Sequence, residues 1–226
     1  MDKIMFNDEY SLTQAVLDER KKNTRRIIKL KAGEYVRVVA LENGSFMSYV
    51  AKDGEPTAYA DGNVEMPNFV RILKPKYFVG QEVAIAQSYR TLANEKGKEG
   101  EFLFKKYYPK FGLWSDRPGW NNKMFVEAGL MLHRIKITNI RVERLQDISD
   151  EDCIKEGIYK SDPIPHAIDG YKFVGYSYDA SSDPKKRKRW YHTPREAFAV
   201  LIDKVSGKGT WESNPWVFVY EFELIK

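Results

Sequence analysis

The chain has 226 residues, of which 42% are hydrophobic and 14% aromatic; this is ample material for a packed core and excludes disorder for most of its length. With 37 Lys and Arg against 32 Asp and Glu, the net charge is +5, an excess that permits a nucleic-acid partner without demanding one. One cysteine, Cys153, excludes a disulfide framework and a cysteine-rich zinc site. The three histidines, His133, His166 and His192, lack ligand spacing, so no metal or cofactor is expected.

Asp2 and Asp8 fall within the first eight residues without an apolar run, which is unlike a leader sequence. No stretch approaches the ~18 uninterrupted apolar residues of a membrane span. The expectation is a cytoplasmic protein with no membrane partner, a single domain over residues 1–226.

Ser11 followed by Gln14 has the pattern of a helix N-cap, and Leu12, Ala15, Val16 and Glu19 continue at helical spacing to an end near residues 20–22. Residues 20–31 then hold seven basic side chains and no acid. From Glu34 the period changes to two. Residues 35–41 and 45–51 flank Glu42-Asn43-Gly44, which predicts a β-hairpin. Residues 69–73 and 82–87 read as further strands, and residues 91–123 are irregular, broken by Pro109, Gly112, Pro118 and Gly119. Residues 130–145 alternate, with a phase shift near Asn139 that predicts two strands or a bulge. Ser149 caps a short acidic helix running to Glu156 and closed by Gly157. Residues 158–189 read as loop. Thr193-Pro194 opens a helix with Ala197, Val200, Leu201 and Val205 as its apolar face. Ser206-Gly-Lys-Gly-Thr210 is a turn before a last strand at residues 216–224. The sum is an α+β protein with many strands, a few short helices and a sheet curved into a barrel.

Three segments carry a resemblance: Glu19-Arg-Lys-Lys-Asn-Thr-Arg-Arg26, Glu143-Arg-Leu-Gln-Asp-Ile-Ser-Asp-Glu-Asp-Cys-Ile-Lys-Glu-Gly157 and Ser206-Gly-Lys-Gly-Thr-Trp-Glu-Ser-Asn-Pro-Trp-Val217. In that order they resemble the GRKTxTxR motif, the strand with its acidic helix, and the closing segment of the ASCH domain, a PUA-like β-barrel family. The long form resembles members from bacteria, phages and prophages. Glu19 stands where the motif has glycine, Lys22 and Asn23 occupy its small or aliphatic middle, and Gln81 replaces the usual aspartate. The resemblance implies one curved PUA-like (ASCH) barrel with long loop insertions at 90–123 and 158–192, and RNA or a modified nucleoside as ligand. Some small members are amidohydrolases that deacetylate N(4)-acetylcytidine. Their catalytic lysine, threonine and glutamate fall on Lys21, Thr24 and Glu156. Other members are linked to RNA binding or ribonuclease activity.

Amide hydrolysis needs a nucleophile, a base and a group to handle the leaving amine. Thr24 is a hydroxyl three residues after Lys21. Partial burial and the like charges of Arg20, Lys22, Arg25 and Arg26 lower a lysine pKa, whereas pairing with Glu156 raises it. The same basic turn also suits contact with phosphates or solvent. Lys185-Lys186-Arg187-Lys188-Arg189, followed by Trp190-Tyr191, reads either as a clamp on RNA with aromatics for stacking or as a solvated loop anchored by those rings. Lys208, Trp211 and Asn214 complete the candidate binding set. The leading expectation is a basic cleft for RNA or a modified nucleoside. It lies between the 21–26 turn, the helix bearing Glu156 and the loop before the last strand. An N(4)-acetylcytidine amidohydrolase and a phage or prophage accessory protein acting on a host protein are the alternatives. Cys153 is expected to be a buried, inert thiol.

Overall fold

A computed structural model of the chain describes residues 1–41, 46–60, 62–94, 118–165, 172–179 and 189–225. The first half runs β1 (Lys3–Ile4), α1 (Leu12–Leu17), β2 (Asn23–Ile27), β3 (Glu34–Ala40), β4 (Phe46–Lys52), β5 (Ala58–Ala60), β6 (Val64–Met66), β7 (Phe69–Ile72), β8 (Glu82–Ile85) and α2 (Tyr89–Asn94). The second half runs β9 (Arg134–Arg144), α3 (Asp150–Lys155), β10 (Tyr159–Lys160), β11 (Ile164–Pro165), β12 (Lys172–Phe173), β13 (Tyr176–Ser177), α4 (Pro194–Ser206), α5 (Thr210–Ser213) and β14 (Trp216–Ile225). Strands predominate and the helices are few and short.

The alternating apolar residues of β14 make it a central strand. It pairs antiparallel with β9 on one side and β2 on the other, within a sheet of order β1-β8-β9-β14-β2. The phase shift near Asn139 is a bulge: Glu221 faces Asn139 while Phe222 faces Ile137, leaving Thr138 as the extra residue. By that shift Ile135, Ile137, Ile140 and Val142 all lie on the face of Phe218, Tyr220 and Phe222, and Arg141 and Glu143 on the face of Val219 and Val217. The hairpin of β3 and β4 forms as expected and adds β7. Its turn, residues 42–45, lies outside the described residues. Among the described residues the sheets are not closed into a barrel; β1 and β2 are the edges of the five-stranded sheet.

The main core packs Ile4, Phe6, Val83, Ile85, Ile135 and Ile137 with the inner faces of α1, α3 and α4. On α4 the core face is Ala197, Phe198, Leu201 and Ile202; Val200 is half-buried and Val205 exposed. The stripe is therefore rotated from the expected one, because Phe198 and Ile202 bring more apolar area to the core than the two valines. Thr193 and Glu196 close the capping box that starts α4.

Two local expectations are corrected. Ser11 occupies the N-cap position of α1 as expected, but in the left-handed region at φ 55° and without a side-chain hydrogen bond, and α1 stops at Leu17. The chain turns back instead through Glu19, at φ 57°, and the amides of Arg20 and Lys21 both return to the Ala15 carbonyl at 2.9 and 2.8 Å. The basic turn is thus a cap followed by a strand, and Asn23–Ile27 is held to β14. Residues 158–179 are not simply loop, since β10 pairs with β13 and β11 with β12. Gly175 belongs to this unit because Trp190 fills its side-chain space: a Cβ there would lie 2.8 Å from the indole.

Candidate functional site

A cleft of about 280 Å³ opens along β2, the edge strand. Lys21, Thr24, Arg26 and Lys29 enter it from β2 and its flanks, Glu156 from the end of α3, and Phe198, Leu201 and Ile202 from α4. Met5, Phe6 and Asn7 supply the remaining wall. Gly157 makes this convergence possible. At φ 103° it ends α3, and a Cβ there would meet the side chains of Leu12, Ala15 and Lys21 at 3.3 to 3.6 Å. The Lys22 amide also donates to the Lys155 carbonyl at 2.8 Å, tying the start of β2 to the helix end.

Beneath the cleft is a buried ionic network. Lys21 Nζ donates to Glu156 Oε2 at 2.5 Å and to the Glu156 carbonyl at 2.7 Å. Arg25 Nη1 donates to Glu156 Oε1 at 3.0 Å, its Nε and Nη2 to Glu143 Oε1 at 3.1 and 2.7 Å, and Nη2 also to Asp152 Oδ2 at 3.0 Å. Arg141 Nε reaches Glu143 Oε2 at 2.8 Å, and its other nitrogens contact Asp152 and Glu221. Ser149 Oγ caps α3 by accepting from the Asp152 amide at 3.1 Å, which aims the acidic helix at these cations. Burial pulls Lys21 below the ordinary lysine range. It outweighs the upward pull of Glu156, and the charges of Arg26 and Arg25 act in the same direction as burial. Asp152 is pushed up by burial but pulled further down by the Arg25 hydrogen bond and by the charges of Arg141 and Arg25.

Sequence reasoning placed Lys21, Thr24 and Glu156 in one site, and all three line this cleft. Arg25 also touches it, but its guanidinium is committed to three carboxylates. Arg26 and Lys29 are cations of the cleft with no carboxylate partner among the described residues. Arg20 is instead paired with Asp18 at 3.1 Å, and the exposed Lys22 faces a different hollow beside Glu19 and Glu223.

The third wall differs from the expectation: it is α4, and the loop before β14 contributes little. Lys208, Trp211 and Asn214 do not line the cleft. Trp211 packs on Phe198 and beneath Arg195, and Asn214 Oδ1 accepts from the Gln146 amide at 2.8 Å. The turn offers no free amides to a phosphate at Gly209 and Trp211, because the Asp203 carboxylate takes both. Lys185, Lys186, Arg187 and Lys188 lie outside the described residues. Arg189 is exposed, with its guanidinium 5.4 Å from the Tyr191 ring centre and away from the cleft.

Sequence reasoning missed Glu143 and Asp152 as partners of Arg25, and Arg141 as the second cation those two carboxylates share. Strand register brings Arg25, Arg141 and Glu143 to one face, and the packing of α3 adds Asp152. Among the described residues no group of three or more His, Cys, Asp or Glu is placed to hold a metal ion, and no helix is long and apolar enough to cross a membrane. Cys153 is fully buried and its thiol is pushed up to about 12 by that burial, which keeps it unreactive. Compared with protein-family models, curated proteins and solved structures, the chain gives no match.

Proposed function

We propose that this is an ASCH-like protein of PUA-like type whose cleft binds a modified nucleoside, free or within RNA. One observation carries the reading: Lys21 and Thr24 line a single cleft with Glu156, which is 135 residues from Lys21 in the chain. At about 280 Å³ the cleft falls near the lower end of the ~300–1,000 Å³ typical of small-molecule sites, room for one nucleoside. Phe6, Leu12, Phe198 and Leu201 offer an apolar wall for a base, and Thr24, Arg26 and Lys29 offer polar contacts. Calorimetric titration with cytidine and N(4)-acetylcytidine tests it. Binding that Phe198→Ala abolishes in a protein with unchanged circular dichroism is the expected result. No heat with either nucleoside rejects the reading.

A second reading, hydrolysis of an N(4)-acyl group, is favoured by the state of Lys21. Burial lowers its pKa, and its two hydrogen bonds to Glu156 account for both N–H groups of a neutral amine, leaving the lone pair to accept a proton. In this reading Thr24 Oγ attacks the acyl carbon while Lys21 takes the hydroxyl proton and passes it to the departing amine. Water then releases the acyl group from Thr24. Glu156, itself bound by Arg25, holds the amine in place. Chromatography of N(4)-acetylcytidine incubations is expected to show cytidine with the wild type and none with Lys21→Ala. Equal product from both eliminates this chemistry.

A further inference from the structure

A second concavity of about 340 Å³ adjoins the cleft, sharing Met5, Arg26 and Ile27 with it. It adds Lys3, Lys74, Lys76 and Phe218 over the rings of Tyr77 and Tyr220. Its lining holds four cations and no carboxylate, so it presents a positive field to an anion. The groove is also rigidly built. The Lys76 amide donates to the Tyr220 hydroxyl at 2.9 Å, its ammonium sits 5.2 Å from the Tyr77 ring centre, and the two tyrosine rings meet edge to face at 5.3 Å. Arg26 Nη2 is fixed by the Met5 carbonyl at 2.6 Å, leaving the other guanidinium donors for a ligand. Lys3 is anchored on the carbonyls of Lys123, Met124 and Val126 and contributes charge alone. Burial, and then the charge of Lys76, lowers its pKa. Phe218, half-buried, also lines a third hollow together with the exposed Phe46.

We propose that Arg26, Lys74 and Lys76 form a phosphate site next to the nucleoside cleft, with Phe218 as the stacking surface for a neighbouring base. The ligand is then a nucleotide of a single strand, where the cleft alone would ask only for a nucleoside. This rests on the nucleoside reading of the cleft and adds a part that can fail by itself. Phosphate held by three cations fixes the strand's register, and an aromatic face accepts any base.

Titrations at one ionic strength would compare N(4)-acetylcytidine, its 5′- and 3′-monophosphates, and a short single-stranded oligoribonucleotide containing it. One monophosphate is expected to bind roughly tenfold more tightly than the nucleoside. Lys74→Ala with Lys76→Ala, both exposed positions, should erase that gain and leave nucleoside affinity unchanged. The oligonucleotide should bind more tightly again, and Phe218→Ala should cost it roughly tenfold. Equal affinities for nucleoside and both monophosphates overturn the phosphate site and leave the cleft reading standing. An oligonucleotide no tighter than the monophosphate overturns the strand assignment. No binding by nucleoside, monophosphate or oligonucleotide overturns both.

Discussion

Arg25 and Arg26 are adjacent on one strand and meet opposite environments. Register places Arg25 opposite Val219, on the face carrying Arg141 and Glu143, and Arg26 opposite Phe218, on the face of Tyr220 and Ile140. Arg25 is therefore desolvated and bound to Glu143, Asp152 and Glu156, while Arg26 borders a groove whose lining has no acid. A buried, saturated network holds α3 against the sheet; once formed it contributes little net energy but is costly to break. An exposed cluster of one sign costs little to keep in water and supplies a field that a ligand can use. One basic run in the sequence thus separates, by the two-residue period of a strand, into a structural half and a ligand-facing half.

Removing a structural cation tests this division most severely. Arg25→Ala leaves Glu143, Asp152 and Glu156 without their shared partner and should lower unfolding free energy by about 3–5 kcal/mol in denaturant titrations. A change below about 1 kcal/mol would show that the network is loosely hydrated and that the two regions do not differ in kind. Gly157→Ala comes next. It forces a side chain into a left-handed position against Leu12 and Lys21, for an expected loss of about 1–2 kcal/mol and a weakened nucleoside affinity as Lys21 shifts.

The pH dependence separates the regions more finely. The Asp152 pKa is lowered from 3.8 in the folded state, so its contribution is complete above that value and disappears as pH falls through the depressed one. Thermal melts from about pH 5 to about pH 2 should therefore lose stability less steeply in Arg141→Gln, which removes one of the groups depressing Asp152, than in the wild type. Parallel acid limbs in the two proteins would place the acid sensitivity elsewhere, for instance at Glu34, held at about 2 chiefly by its hydrogen bond from Arg71.

Much of this was readable in the residues themselves. The alternation of 216–224, the slip at Asn139, the Ser149 cap and the Thr193-Pro194 start each act within a few residues, and each is present. The convergence of Lys21, Thr24 and Glu156 came from the resemblance rather than from periodicity. What stayed hidden depends on distant partners. The early stop of α1 follows from Glu19 adopting a left-handed turn against its preference, so that Lys21 can reach Glu156. The division between Arg25 and Arg26 requires knowing which face of β2 meets α3. Lys74 and Lys76 carry no local signal at all; they matter because Tyr77 packs on Tyr220, more than a hundred residues away in the chain.

The smallest expected effect is the most discriminating. Lys76→Ala removes a charge with no carboxylate partner among the described residues, so its stability should stay within about 0.5 kcal/mol of the wild type. Oligoribonucleotide binding should nevertheless weaken, and the slope of log affinity against log salt should fall by about 0.7, the share of one phosphate contact on a single strand. Lys22→Ala is the matched control, equally exposed and equally cationic but facing the hollow beside Glu19 and Glu223. If both substitutions shift affinity and slope alike, the attraction comes from net charge spread over the surface. A loss confined to Lys76 locates it in the groove that Arg26 shares with the cleft.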